Sequence, residues 1–338
     1  MNLIKQNIEK LRNDLHRHNY SYYVLDKPVI SDFEFDTKLK ELKILEDKFP
    51  KFNDENSPTK RVGGTVMKSF DSVIHQYPMY SLDNSYSKQD LEDWNQRLIR
   101  NLETENINFL CELKFDGVSI NLTYENGNLT KAVTRGDGVQ GDDVTENIKT
   151  IKTIPLKLEG SFPEKFQIRG EIIINKYDFA EMNNKRLAEG LEPYMNPRNT
   201  ASGSLKLRDS SETAKRPLKC FFYQVVTQKN DIKTQKEYLT SALDWGFKIS
   251  NTYKLCDNLA EVMSFINNWD KERSRLDFEI DGVVIKVNNI KFQKQLGFTS
   301  KYPRWSIAYK FKTEQVLTKL LSVSYQLGRT GAVTPVAN

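Results

Sequence analysis

Near the start of the chain, apolar residues at Ile4, Ile8, Leu11 and Leu15 recur at spacings of four and three, lining one face of a predicted helix. A second helix is predicted from near Ser31. There Ser31-Asp32-Phe33-Glu34 has the Ser-x-x-Glu pattern of a capping box, and Phe35, Leu39, Leu42 and Phe49 continue an apolar stripe. Residues 20–28 lie between the two helices, and a loop over 53–64 containing Pro58, Gly63 and Gly64 closes this helical module. From about residue 71 the apolar period falls to two. Val118, Ile120, Leu122 and Tyr124 alternate with Ser119, Asn121 and Thr123, and Asn126-Gly127 then predicts a tight hairpin into a strand over 129–134. Further strands are expected over 166–174, 218–226, 278–287 and 306–311, with helices over 180–189 and 259–273 among them. The class is α+β. A last β-rich stretch, 316–336, is too short to bury a core of its own, which implies either a longer protein or a tail docked on the preceding domain.

With 338 residues the chain exceeds what one hydrophobic core usually serves, so at least two domains are expected. No apolar run approaches the roughly 20 residues that span a bilayer, which argues against a membrane role. The opening segment MNLIKQNIEKLRNDL places charge in every turn and does not resemble a signal peptide, so a cytoplasmic protein is expected. Cys111, Cys220 and Cys256 are far apart with no Cys-x-x-Cys pair, as expected of reduced thiols and not of a disulfide framework or zinc site. A net charge of +5 permits nucleic-acid contact without requiring it.

The densest chemistry lies at Glu112-Leu113-Lys114-Phe115-Asp116-Gly117. In a strand, side chains two apart share a face, so Glu112 and Lys114 point the same way, and Gly117 permits a tight turn. A lysine amine attacks only when neutral, a state that desolvation or neighbouring cations favour. Alone, Lys-x-Asp-Gly fits an exposed lysine in a strand-turn better than a catalytic one. Other strands repeat the situation, however. Arg169 and Glu171 interrupt the apolar run 168–174, Asp281 and Lys286 flank the run 282–285, and Lys310 sits within 307–311. Charge inside an apolar strand is costly without a partner. Four strands bringing charge to one cleft would suit a phosphate-binding site, although each lysine taken singly also fits an exposed edge strand.

These segments resemble the nucleotidyltransferase motifs of DNA ligases and mRNA-capping enzymes, most closely the bacterial NAD+-dependent DNA ligases. The resemblance implies a helical NMN-binding module over 1–68, an adenylation (nucleotidyltransferase) domain of ATP-grasp-like mixed antiparallel sheets over 69–315, and the start of an OB-fold domain over 316–338. The last is supported by Gly328-Arg329-Thr330-Gly331 and the residues up to Ala337. It makes Lys114 the adenylated nucleophile, with Glu112 against adenine and Ser81 and Leu82, in Pro78-Met79-Tyr80-Ser81-Leu82-Asp83-Asn84, beside the adenine pocket. Arg135 and Glu171 would bind the nucleotide, and Lys286 and Lys310 would face the phosphates. Asp116 and Asp281 match acidic positions with ribose or metal contacts, Asp281 being the candidate for metal. Within and after Asn196-Pro197-Arg198-Asn199, Arg198 and Lys206 are the implied DNA contacts, Lys206 standing where some members have arginine.

The helical module bears on the choice of cofactor. Asp32 and Asp36 share a helix face and repel unless a cation or the helix dipole offsets the cost. The nicotinamide ring is such a cation, and Tyr22 and Tyr23 could stack on it. The plainer alternative is two aspartates favouring a helix N-terminus, with the tyrosines as core. In the family, Phe35 stands where tyrosine is frequent and Tyr23 where histidine is frequent, and Phe35 cannot donate a hydrogen bond. The resemblance implies NAD+ and Mg2+ as cofactors, nicked double-stranded DNA as partner, and a monomer. The competing readings are an ATP- or GTP-dependent nucleotidyltransferase, and a non-catalytic module that senses NAD+ or binds DNA.

Overall fold

The computed structural model describes residues 2–25, 27, 29–62, 69–227, 232–312, 318–327 and 331–338. Its first helix, Asn2–Tyr23, packs against a second, Asp32–Lys48. Ile8, Leu11, Leu15 and Leu42 are buried between them, with Ile4, Phe35, Leu39 and Phe49 around the rim. The capping box forms: Glu34 N donates to Ser31 Oγ at 3.3 Å, and Ser31 N donates to Glu34 Oε2 at 2.9 Å. The first helix runs further than its apolar stripe, through Tyr20 to Tyr23, because no proline or glycine interrupts that segment. Pro28, Gly63 and Gly64, expected in loops, lie outside the described residues.

Two sheets follow. One has four antiparallel strands in the order Asn128–Thr134, Val118–Glu125, Lys165–Ile173, Lys219–Val226. The other has five, ordered Asp83–Ser85, Ser306–Lys310, Ile280–Val287, Phe109–Phe115, Lys254–Cys256, antiparallel except for the parallel pairing of Asp83–Ser85. The alternation sorts each sheet into two faces. Ile120, Leu122, Ile168, Ile172 and Phe222 enter one core, covered by Ile148, Ile151 and Ile154. Phe109, Cys111, Val283, Ile285 and Ile307 enter a second, covered by Leu91 and Leu98 of the helix Lys88–Leu102 and Val262 and Ile266 of the helix Leu259–Glu272. Residues between these positions, among them Ser119, Glu171 and Tyr223 on one sheet and Glu112, Lys114 and Lys286 on the other, line a common cavity. Each sheet thus turns its apolar face outward onto its own helices and loops, and its polar face towards the other sheet.

The chain crosses between sheets at Asp116-Gly117, directly after the strand that carries Lys114. A Cβ on Gly117 would lie 2.3 Å from the Ile172 carbonyl oxygen and 2.8 Å from Ile173 Cγ2, so only glycine permits this approach. The helical module attaches elsewhere. Asn19 Nδ2 donates to the Lys152 carbonyl at 3.0 Å, and Arg61 donates to the carbonyls of Ile151 and Ile154 at 2.8 and 2.6 Å. That segment covers the four-stranded sheet on its apolar side. The final strands, Val323–Leu327 and Val333–Ala337, form an antiparallel hairpin with nearly every side chain exposed, so the expected β-rich tail is not packed on the preceding domain. Residues 313–317 and 328–330, including Gly328-Arg329-Thr330, lie outside the described residues.

Gly117→Ala should lower stability by about 1–3 kcal/mol, since the new methyl would press on the backbone of the adjacent strand at Ile172. The check is a urea midpoint that falls with an unchanged denaturant slope; an unmoved midpoint would mean that the backbone yields without cost.

Candidate active site

The cavity between the sheets has a volume of about 330 Å³, within the range of small-ligand sites. Strand register explains how its charges meet. Lys114 and Lys310 lie on the two strands flanking Ile280–Val287 and are both opposite Gly282, where a Cβ would run into the Tyr309 carbonyl oxygen. A register shift between Ile280 and Gly282 re-aims Asp281, which strict alternation would turn towards the core, onto the cavity face. Asp281 Oδ2 then lies 3.0 Å from Lys114 Nζ and 3.5 Å from Lys310 Nζ. One carboxylate sits between two ammonium groups.

Glu112 is opposite Val284, so Lys286, two residues along, is its diagonal neighbour. The pair forms an ion pair with side chains only 10% and 7% exposed, and Lys286 Nζ also donates to the Tyr223 carbonyl at 2.9 Å. Burial pushes the Glu112 carboxyl up, and Lys286 opposes that shift. On the facing sheet, Ser119 and Glu171 are direct cross-strand partners, and Ser119 Oγ donates to Glu171 Oε2 at 2.7 Å. The Tyr223 hydroxyl lies 3.1 Å from the same Oγ. Burial pushes Glu171 up to about 7, against the Ser119 hydrogen bond and the charges of Lys114, Arg198 and Arg135.

Ser81, Leu82 and Arg135 line the cavity. Arg169 lines the cavity as well, and its Nη2 donates to the carbonyls of Tyr77 at 2.8 Å and Pro78 at 3.0 Å. Arg198 and Asp116, assigned to DNA and to the nucleotide, are ion-paired to each other at 2.8 Å. Arg198 also lines an adjoining cavity of about 280 Å³, together with Lys206, which is ion-paired to Asp142. Ser119, Arg135, Glu171 and Arg198 are common to both cavities, which therefore adjoin. Among the described residues there is no cluster of three or more acidic, histidine or cysteine side chains for a metal. Asp281 Oδ1 is nevertheless buried without a hydrogen-bond partner, leaving one carboxylate oxygen available.

The helical-module residues are not brought to this cavity. Tyr22, Tyr23 and Phe35 line a separate small one with His18, Asn19 and Ser31, sharing no residue with the first. The Tyr22 and Tyr23 rings are 4.6 Å apart at 53°, and Lys152 Nζ donates to the Tyr23 hydroxyl at 2.9 Å. Asp36 is exposed, and the Asp32 side chain lies outside what the structure describes.

Residues 67–314 match the family model described as the NAD-dependent DNA ligase adenylation domain, and residues 1–63 match the DNA ligase-like, N-terminal NAD+-binding domain. The chain belongs to the NAD-dependent DNA ligase family. It is 60% identical over 335 residues to a DNA ligase of Flavobacterium johnsoniae and 58% identical over 335 residues to one of Christiangramia forsetii. Each alignment covers 99% of this chain and 50% of the relative, so the chain spans about half the length of the curated relatives it matches. Within this ligase-family cleft, sequence reasoning did not single out Tyr223, Ser119, Asn84, Phe298 or Trp305 as lining residues. Ser119 carried a signal, as a polar position alternating with core residues. Tyr223 lay in a predicted strand, but nothing in its spacing distinguishes a cavity aromatic from a core one.

A carboxyl whose folded pKa is raised holds its proton more tightly in the folded chain. Between its ordinary value of 4.5 and about 7, Glu171 therefore makes stability fall as pH rises. Glu171→Gln should remove that contribution. Urea unfolding at pH 5 and pH 8 should show a larger loss in the parent than in the variant; identical losses would contradict the assigned burial.

Proposed function

We propose that this chain is the self-adenylating part of an NAD+-dependent DNA ligase. Lys114 attacks the α-phosphorus of NAD+, NMN leaves, and lysyl-AMP forms; AMP then passes to the 5′-phosphate of a nick in duplex DNA, and the 3′-hydroxyl displaces it. What carries the reading is the Lys114–Asp281–Lys310 arrangement in a cavity that also holds Glu112, Glu171 and Lys286. A carboxylate between two ammonium groups stands where a phosphate could replace it as counter-ion. Glu112, Ser81 and Leu82 would hold adenine, and Arg135, Glu171 and Asp116 the rest of the nucleoside. Lys286 and Lys310 would face the phosphates. Asp281 would contribute its unpartnered oxygen to Mg2+, whose remaining ligands would be water and phosphate oxygens.

The aromatic cavity formed by Tyr22, Tyr23 and Phe35, with Asp32 and Asp36 on the same helix, is assigned to the NMN half of NAD+. Arg198 and Lys206, on the adjoining cavity, are assigned to the DNA backbone. The same reading divides the chain into an NMN-binding module over 1–68, an adenylation domain over 69–315 and the start of an OB-fold over 316–338. It also takes the protein to be a cytoplasmic monomer, and no described helix is long and apolar enough to cross a membrane. Nick sealing by the 338-residue chain should be poor, because positioning a duplex calls for more surface than this half of the relatives' length supplies.

Incubation with NAD+ and Mg2+ should add the mass of one AMP to the intact protein, and Lys114→Ala should abolish the adduct. An adduct that forms with ATP but not NAD+, or one that survives in Lys114→Ala, would refute the assignment. Asp32→Ala should slow reaction with NAD+ while leaving pre-adenylated protein able to pass AMP to a nick, and equal loss of both steps would contradict an NMN-specific role.

A further inference from the structure

Arg169 is only 7% exposed and lies in the interior of the four-stranded sheet, opposite Asn121 on one neighbouring strand and Gln224 on the other. Burying a guanidinium is expensive, and such groups are normally matched to a carboxylate or phosphate. The contacts made here are neutral. Nη2 donates to two successive carbonyls, those of Tyr77 and Pro78, Nη1 reaches Gln224 Oε1 at 3.4 Å, and Nε is buried without an acceptor. Burial alone depresses its pKa, with only tyrosines opposing.

The segment held in this way has no secondary structure of its own. Residues 78–82 are neither helix nor strand, and Pro78 has no N–H with which to join a ladder. The segment is tied again at Met79 N, which donates to the Gly138 carbonyl at 2.8 Å. The next three residues, Tyr80, Ser81 and Leu82, are cavity wall. A planar guanidinium suits the task because it fixes two adjacent carbonyls from one rigid fork.

We propose that Arg169 is a positioning residue that sets the shape and base selectivity of the purine-binding wall by clamping the backbone at Tyr77 and Pro78. The proposal rests on the nucleotide-binding reading given above. Arg169 is itself part of the cavity lining but touches neither the reacting phosphorus nor Lys114 in this scheme; it acts through the backbone that faces the base. Its loss should therefore act on binding and on discrimination between purines more than on the chemical step.

The test compares the parent, Arg169→Met and Arg169→Lys in two ways. One is hydrogen exchange at residues 79–82 in the nucleotide-free protein. The other is the rate of AMP-adduct formation with NAD+ and with its hypoxanthine analogue. In Arg169→Met the exchange should quicken, the NAD+ concentration that gives half the maximal rate of adduct formation should rise about tenfold or more, and the preference for adenine over hypoxanthine should shrink, with the maximal single-turnover rate within about threefold of the parent. Arg169→Lys, which keeps the charge but loses the fork, should fall between the two. Unchanged exchange with an unchanged half-saturating NAD+ concentration, or a loss confined to the maximal single-turnover rate, overturns the proposal. So does loss of cooperative unfolding in both variants, since Arg169 would then serve the sheet as a whole. If the parent itself forms no adduct, the ligase reading fails, while the exchange comparison still decides whether Arg169 holds the wall.

Discussion

Everything in the cleft depends on one electrostatic constraint: two β-sheets present charged faces to each other at close range, and each buried charge needs an opposite charge or hydrogen-bond partners within reach. Asp281 between Lys114 and Lys310, and Glu112 against Lys286, meet that need within the five-stranded sheet. Across the cavity Glu171 leans on Ser119 instead, and its raised pKa reflects how little the nearby cations offset its burial. These pairs leave cations and carboxylates available in the space a nucleotide would occupy. A phosphate arriving there would meet lysines whose present partner is a single carboxylate.

The arrangement is possible because the apolar cores lie outside the pair of sheets. With Ile120, Leu122 and Ile168 packed behind one sheet and Cys111, Val283 and Ile285 behind the other, the facing surfaces are free to be polar without cost to either core. Two local departures from regular structure complete the site. Gly117 lets the chain pass from one sheet to the other immediately after Lys114, and the register shift at Asp281 brings an acid to a face that alternation would deny it. Irregular backbone also forms the wall at residues 78–82, where a buried arginine and the Gly138 carbonyl replace the ladder hydrogen bonds that a strand would have had.

The helical module stands apart from this site. Its aromatic cavity is built from its own residues, and its ties to the rest of the chain run to the segment behind the four-stranded sheet. Two separate family models match the chain, one over residues 1–63 and one over 67–314.

Much of this was legible in the sequence, for a local reason. Helix and strand periods, the Ser31–Glu34 capping box and the Asn126-Gly127 turn depend on neighbours a few residues away, and the structure keeps them, with the first helix running on through Tyr23. The period of two also determined that Glu112 and Lys114 share a face, and that Glu171 and Lys286 are charged exceptions in apolar strands. Which charge meets which could not be read in this way. The contact of Lys114 with Asp281 joins residues 167 apart, and it requires a bulge that no spacing announces. For Arg169 the sequence showed a charge inside an apolar strand, and only the tertiary structure disclosed its acceptors, two carbonyls 91 and 92 residues away. Periodicity assigns a side chain to a face; its partner is set by strand order and register, which are properties of the whole fold.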